Sequence, residues 1–213
     1  MYINKDVLNI TNGNTDMIDT EFGRMQIEKV AAGKLKLVTG KIIATDPILM
    51  YDDQCYSNHV TPGTYPVFIY NGKTDKRKTQ TVLAELRFND NIPIKWEMAL
   101  LKGENSSRFA SDEFMGYEVE NGLGCFMDEH VMDILDVLDE EELENYEKNI
   151  KNTIRQSDQT WADIMIDKKT ESNIIVFTSG WNEGVFPTYY GFDKNNKIVK
   201  IVTDFMVIEA WVQ

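Results

Sequence analysis

Alternating apolar and polar positions predict that most of this chain forms β-strands. The clearest pattern lies in residues 81–88, where Glu85 and Arg87 fall on one face and the other face is apolar, with Val82, Ala84, Leu86 and Phe88. This period of two is typical of a half-buried strand. Further β-rich runs, bounded by Gly, Pro and Asn turn signals, occupy residues 25–30, 35–47, 65–70, 115–128, 171–180 and 198–212. Residues 92–101 fit either a strand or a helix, and the first 23 residues predict loosely structured loop or short strand.

Helical spacing begins after Asp128. A first apolar stripe contains Val131, Ile134, Leu135 and Leu138, and a second contains Leu143, Tyr146 and Ile150. Asp128 has the position of a helix N-cap, and Asp139 with Glu142 resembles the capping signal of a second helix. One or two further helical turns are expected from the spacing of Trp161, Ile164 and Met165.

Helices confined to one segment, with strands on both sides, indicate an α+β fold. We expect a largely antiparallel β-sheet or sandwich with an acidic helical insertion around residues 128–166. The length of 213 residues favours a single domain spanning residues 1–213, because domains usually have about 100–200 residues.

Composition narrows the classes of function. The chain has 22 Lys and Arg against 35 Asp and Glu, a formal net charge of −13, so it should repel the phosphates of nucleic acid. A hydrophobic fraction of 42% predicts a folded core. No apolar run approaches the roughly 20 residues of a membrane span, and the amino terminus does not resemble a secretory signal. With only two cysteines, these features predict a cytoplasmic protein that binds neither membrane nor nucleic acid.

The negative charge is concentrated in the predicted helices. Residues 128–147 contain ten acidic residues and no Lys or Arg. Such a run usually forms a solvated helix face, and the alternative is a docking surface for a basic partner protein. The candidate partner-binding residues are Asp133, Asp136, Glu140, Glu141 and Glu144.

A second set of carboxylates suggests a different chemistry. Asp46, Asp128, Glu183 and Asp204 each stand at a strand end or in a turn, and together they would offer oxygen ligands to Mg²⁺ or Ca²⁺. Trp181 and Tyr189 would then line the pocket. Each carboxylate also has an ordinary structural role, as a turn residue, a helix cap or an acceptor of backbone amides. A zinc site built from Cys55, His59, Cys125 and His130 lacks the close spacing typical of zinc ligands.

Several segments resemble a known bacterial family. They are GKIIATDPI at 40–48, TPGTYPV at 61–67, KWEMALL at 95–101, YEVENGLGCFMD at 117–128, and the region from SNIIVF through TDFMVI at 172–208. Together they resemble the domain-of-unknown-function family 4241 over roughly residues 24–208. The resemblance implies a bacterial or phage setting and implies no particular reaction.

Two functions from different classes follow from these features. The first is a non-catalytic binding or inhibitor protein of the immunity type, which contacts a basic partner through the acidic helices and needs no cofactor. The second is a metal-dependent hydrolase or small-ligand-binding protein that uses Asp46, Asp128, Glu183 and Asp204. The sequence predicts neither the partner nor the oligomeric state.

Overall fold

The structure, a computed structural model, describes residues 2–13, 17–20, 23–49, 54–75, 77–156 and 159–208. Within these ranges the strands are β1 Met17–Thr20, β2 Gly23–Leu37, β3 Ile42–Thr45, β4 Gly63–Thr74, β5 Arg77–Arg87, β6 Lys95–Met98, β7 Gly116–Val119, β8 Leu123–Asp128, β9 Trp161–Asp167, β10 Ser172–Thr178, β11 Gly184–Phe192 and β12 Ile198–Asp204. The α-helices are α1 Lys5–Leu8, α2 Glu129–Leu135 and α3 Glu140–Gln156, and short 3-10 helices occupy Asn9–Asn12 and Ser106–Arg108.

The strands form two antiparallel sheets. The larger sheet has the order β1-β2-β4-β5-β12-β11-β6. Strand β7 also pairs with β11: β7 pairs with residues 184–187 of β11, and β6 pairs with residues 189–192. The smaller sheet has the order β3-β8-β10-β9. The α+β prediction with largely antiparallel strands is therefore confirmed, and the open choice for residues 92–101 resolves to a strand at Lys95–Met98.

The main hydrophobic core fills the space between the two sheets and continues onto the other face of the larger sheet. Phe177 of β10 packs edge-to-face against Phe126 of β8 at 5.1 Å and against Phe205 at 5.8 Å between ring centroids. Strand β10 is buried along almost its whole length, because alternate side chains enter different cores. Ile175 belongs to the core between the sheets, whereas Ile174 belongs to the core on the opposite face of the smaller sheet.

Helices α2 and α3 cover that opposite face of the smaller sheet. Val131, Leu135 and Ile150 are buried there against strand residues. The helical segment is shorter than predicted, since α3 ends at Gln156 and residues 161–167 form strand β9. The helical turns predicted from the spacing of Trp161, Ile164 and Met165 are wrong. Residues 161–167 instead pair with β10 in the sheet, for example at Ile164 opposite Ile174.

The amino-terminal segment covers the other face of the larger sheet. Residues 5–12 form α1 and a 3-10 helix and not the predicted loop or strand, and they bury Val7, Leu8 and Ile10 in the main core. Residues 17–20 form an edge strand, as a short strand was one of the two expectations.

A buried ionic network lies beneath this segment. Glu85 is fully buried and accepts hydrogen bonds from the Tyr70 hydroxyl at 2.6 Å and from Arg87 Nε at 2.5 Å, with Lys200 Nζ at 3.5 Å. Burial lowers the pKa of Lys200 to about 8, although the nearby Glu85 charge acts in the opposite direction. The polar face predicted for residues 81–88 is thus buried, because the amino-terminal segment shields it and neighbouring side chains pair its charges.

The carboxyl-terminal apolar run forms a shorter strand than its sequence predicts. Strand β12 ends at Asp204, and Phe205 and Val207 then leave the sheet to pack into the main core. Residues 209–213, which complete the predicted run of 198–212, lie outside the described residues.

Candidate functional site

Helix α2 places acidic side chains on the outside of the smaller sheet. Its N-cap is Asp128, as the sequence predicts, and the Asp128 carboxylate accepts a hydrogen bond from the His130 amide at 3.1 Å. Apolar positions of the helix face the sheet, so the remaining positions must face water. Asp133 and Asp136 are accordingly exposed.

Helix α3 begins at a capping box. The Glu142 amide donates to Asp139 Oδ1 at 2.9 Å, and the Asp139 amide donates to Glu142 Oε2 at 3.1 Å, which confirms the predicted second helix start. Glu140, Glu141 and Glu142 fill the first turn, where the helix dipole favours negative charge. We define the acidic helix face as the five exposed residues Asp133, Asp136, Glu140, Glu141 and Glu144.

Part of the local negative charge is neutralised within the protein. Glu129 pairs with Lys41 at 2.5 Å, Glu144 with Lys148 at 2.9 Å and Glu147 with Lys151 at 3.2 Å, taken between charged atoms. Across the described ranges no cation pairs with the other four members of the acidic helix face, Asp133, Asp136, Glu140 and Glu141. These four carboxylates therefore remain available to a partner.

A groove runs beside the acidic helix face. It has a volume of about 630 Å³, and its lining combines apolar, acidic and basic side chains: Ile43, Gln54, Cys55, Lys102, Glu129, Met132, Asp133 and Asp136. Asp133 and Asp136 thus belong both to the acidic helix face and to the groove. The other three members of the face lie on α3 and not in the groove lining.

The chemistry at the groove wall keeps the Cys55 thiol protonated. Burial raises the pKa of Cys55, and the neighbouring Glu129 carboxylate, which accepts the thiol hydrogen at 3.5 Å, raises it further. The hydrogen bond from Lys41 lowers the pKa of Glu129 and raises that of Lys41, so this pair stays ionised. A thiol beside a fixed negative charge is a poor nucleophile, because the thiolate is the reactive form.

Two of the predicted metal-ligating carboxylates hold turns together. Asp46 is fully buried, and its oxygens accept the amides of Ile48 at 2.9 Å, Glu120 at 3.1 Å and Asn121 at 3.0 Å. It thereby ties the turn before β8 to the end of β3. Asp128 accepts the amides of Thr39 and Gly40, which ties the turn before β3 to the start of α2.

The other two carboxylates have different surroundings. Glu183 is exposed in the loop before β11. Asp204 is buried at the end of β12, where its Oδ1 accepts the Met206 amide at 2.8 Å and its Oδ2 has no partner in the described part of the chain. Burial raises the pKa of Asp204 to about 7.

The predicted pocket aromatics belong to the core region. Tyr189 is fully buried, and its hydroxyl donates to the Tyr2 carbonyl at 3.2 Å. Trp181 is half-buried against the main core, and its carbonyl accepts the hydroxyl of Ser179. Their placement is explained by packing between the sheets and the amino-terminal segment.

The described residues contain no group of three or more His, Cys, Asp or Glu side chains placed to hold a metal ion. Cys55 and Cys125 are both thiols and do not form a disulfide with each other. Asp46, Asp128, Glu183 and Asp204 are thus not brought together, and neither are the two Cys-His pairs. For Asp46 and Asp128 this result follows from the fold, because β3 and β8 are antiparallel and the two carboxylates lie at opposite ends of that strand pair.

Sequence reasoning missed the residues that complete the groove. Gln54 and Lys102 come from two separate connections, and Cys55 entered the sequence reasoning only as a zinc-ligand candidate; no periodic pattern or motif links the three to α2. The one available signal was Asp128 as a helix cap, which places Glu129 in the first turn of α2. The sequence gives no indication of which distant segments lie against that turn.

Comparison with known proteins places the chain in a family. The sequence profile of DUF4241, described as a protein of unknown function, matches residues 35–203. The chain belongs to the DUF4241 family. The match runs from the end of β2 into β12 and includes α2 and α3, which confirms the resemblance inferred from the sequence segments. No curated protein and no solved structure matches it. No described helix has both the length and the apolar character needed to cross a membrane.

Proposed function

We propose that this DUF4241 protein is a non-catalytic binding protein that docks a basic partner protein on its acidic helix face, as an inhibitor or immunity protein would. The observation that carries the proposal is the set of four exposed carboxylates without a cation partner among the described residues: Asp133, Asp136, Glu140 and Glu141. Complementary charge speeds the encounter of two proteins and disfavours partners of like charge.

The groove beside α2 offers a place for an anchoring side chain. Ile43 and Met132 provide apolar wall, and Asp133 and Asp136 provide negative charge at the same groove. A lysine or arginine of the partner fits this combination, because its aliphatic stem packs on apolar surface while its charged head pairs with carboxylate. The docking site would therefore combine steering charge with one buried contact.

The acidic helix face is held rigidly before any partner binds. Val131, Leu135 and Ile150 fix the two helices to the smaller sheet, and the capping box fixes the start of α3. A surface that is already ordered loses little conformational entropy on binding. This favours recognition by stoichiometric contact.

Backbone NMR with a lysine-rich peptide as the probe tests where basic groups bind. The proposal predicts saturable chemical-shift changes in residues 129–144 and at Cys55, which decrease as salt is added because exposed charge pairs are screened. Shift changes spread evenly over exposed acidic positions elsewhere, such as Glu28, Glu104 and Asp112, would contradict it. A peptide of the same length with serine in place of lysine is the control.

A further inference from the structure

A second groove lies at one end of the larger sheet, and its lining shares no residue with α2 or α3. Three connections meet there: Asn58–Thr61 between β3 and β4, Phe88–Asn89 after β5, and Asn196–Lys197 between β11 and β12. Its volume of about 590 Å³ falls in the range of small-molecule sites, which is roughly 300–1,000 Å³. Loops set on a rigid sheet are a common location for binding residues. We call this the loop-end groove.

The walls of the loop-end groove are fixed by hydrogen bonds. The Tyr65 hydroxyl donates to the Thr61 carbonyl at 2.7 Å, the Tyr190 hydroxyl donates to the Asn58 carbonyl at 3.0 Å, and the Phe88 amide donates to the Val199 carbonyl at 2.9 Å. The groove is therefore formed before any ligand enters it.

Aromatic rings form one side of the groove. Tyr65 and Phe88 are both half-buried, with ring centroids 5.1 Å apart and planes at 82°. They expose part of their ring surface between a fixed backbone wall and the polar loops. Such surface packs against the apolar face of a ring-shaped ligand.

Four polar side chains around these rings are not used in hydrogen bonds or ion pairs among the described residues. Within the described residues, the side chains of Asn58, His59, Asn196 and Lys197 make no hydrogen bond or ion pair. They offer amide groups, ring nitrogens and an ammonium, which can bind hydroxyl groups and an anion.

The charge of the groove differs from that of the whole protein. The described residues that line it include no Asp or Glu, although the chain has a formal net charge of −13. The carboxylate of Asp193, in the same turn as Lys197, already accepts the amides of Asn195 and Lys197 and the side chain of Asn91. The charge of Lys197 also contributes to the lowered pKa of Asp193, so this carboxylate stays ionised near the ammonium but outside the groove lining. An anionic group in the groove would therefore share Lys197 with Asp193.

From these observations we infer that the loop-end groove binds a hexose that carries one anionic group, either a carboxylate or a phosphate. The C–H face of the pyranose packs on Tyr65 and Phe88, its hydroxyls bond to Asn58 and Asn196, and its anionic group is paired with Lys197 beside His59. This inference is independent of the acidic helix face.

The test is a titration of the full chain with glucuronate, glucose 6-phosphate and glucose, followed by backbone NMR and by saturation transfer from the aromatic protons. We expect saturable shifts at residues 58–61, 88–89 and 196–197. Transfer should be strongest to the C–H protons of one pyranose face. Glucose should bind more weakly than either anion by about fivefold, the effect of one exposed charge contact.

Variants distinguish the groove from a general effect of charge. Lys197→Ala should reduce the affinity for both anions to that for glucose, whereas Lys194→Ala, an equal charge change in the same turn, should leave it unchanged. Both lysines are exposed, so neither variant threatens the fold. Selective binding of glucuronate identifies a carboxylate ligand, and selective binding of glucose 6-phosphate identifies a phosphate ligand.

Three outcomes would overturn the inference. They are the absence of saturable shifts with all three sugars, equal binding of glucose and the anions, and equal binding of inorganic phosphate and glucose 6-phosphate. The last would mean that the sugar ring contributes nothing.

Discussion

Asp204 is a carboxyl group whose buried environment destabilises the ionised form. One oxygen accepts the Met206 amide, the other has no partner among the described residues, and burial raises the pKa to about 7. The folded protein therefore holds the proton more tightly than the unfolded chain, in which the pKa is near 3.8. Stability is greatest below pH 3.8 as far as this group is concerned, and it is lost as the pH rises towards 7.

Asp204→Asn should remove this loss. We expect the variant to be more stable than the wild type at pH 8, by up to about 4 kcal/mol if the whole difference in pKa is realised. The gain should shrink as the pH falls to 5. Urea unfolding at pH 5, 6, 7 and 8 measures it.

Asp193→Asn is the matched comparison. Hydrogen bonds from the amides of Lys197 and Asn195 help to lower the pKa of Asp193, so this substitution should destabilise the protein at neutral pH. Its effect should vanish only as the pH falls through the lowered pKa. A pH-independent gain for Asp204→Asn would contradict the assignment of a raised pKa.

Gly40 permits a close approach between two turns. Its φ is +77°, and a Cβ added there would lie 2.1 Å from the Val60 carbonyl oxygen. This distance leaves no room for a methyl group. Gly40→Ala should destabilise the protein by more than about 2 kcal/mol, through backbone strain and this clash together. Thermal unfolding followed by circular dichroism measures the change.

Gly103→Ala separates the two contributions. Gly103 has a φ of +90°, and no atom lies within 4 Å of the added Cβ. Gly103→Ala should therefore show only the cost of placing alanine at a positive φ, about 1 kcal/mol. Equal effects of the two substitutions would show that the contact with Val60 has no energetic weight.

At the scale of elements, the amino-terminal segment is part of the core. Leu8 is fully buried in the main core and lies in the segment that covers the Glu85 network. Leu8→Ala should lower the free energy of unfolding by about 2–5 kcal/mol, the usual range for a buried leucine. Ile92→Ala, at a side chain that is 65% exposed, should change it by less than about 0.5 kcal/mol. Urea denaturation of both variants provides the comparison, and a small effect of Leu8→Ala would mean that the segment detaches easily.

The elements that could be predicted are those with a local cause. The start of α2 at Asp128 and of α3 at Asp139 followed from capping side chains within three residues of each helix start. Strand β9 was missed because its identity depends on pairing with β10, a contact that local spacing does not contain. The burial of Glu85 was missed for a similar reason, since the cover comes from residues more than 70 positions away.

At the scale of the whole molecule, charge and fold divide the surface into two regions. The acidic helix face lies over the smaller sheet, and the loop-end groove, whose described lining has no carboxylate, lies at the end of the larger sheet. Counting charges along the sequence located the first region, because its residues are consecutive. It did not locate either groove, since each is assembled from separate connections that only the folded topology brings together.

The central claim is that the acidic helix face, and not net charge, recognises a basic partner. Two variants separate these causes: one reverses Asp133, Asp136, Glu140 and Glu141 to lysine, and the other reverses Glu28, Glu104, Asp112 and Glu183, which are also exposed. Each reversal changes the charge by two, so both variants move the formal net charge from −13 to −5.

The decisive measurement is the dissociation constant of the lysine-rich peptide for the wild type and both variants, at about 50 mM and about 200 mM salt. The account predicts that reversing the acidic helix face weakens binding by at least about tenfold at low salt, because several charge contacts are lost together. The control variant should bind within about threefold of the wild type. Equal weakening in both variants would contradict the claim, because it would show that only the total charge matters.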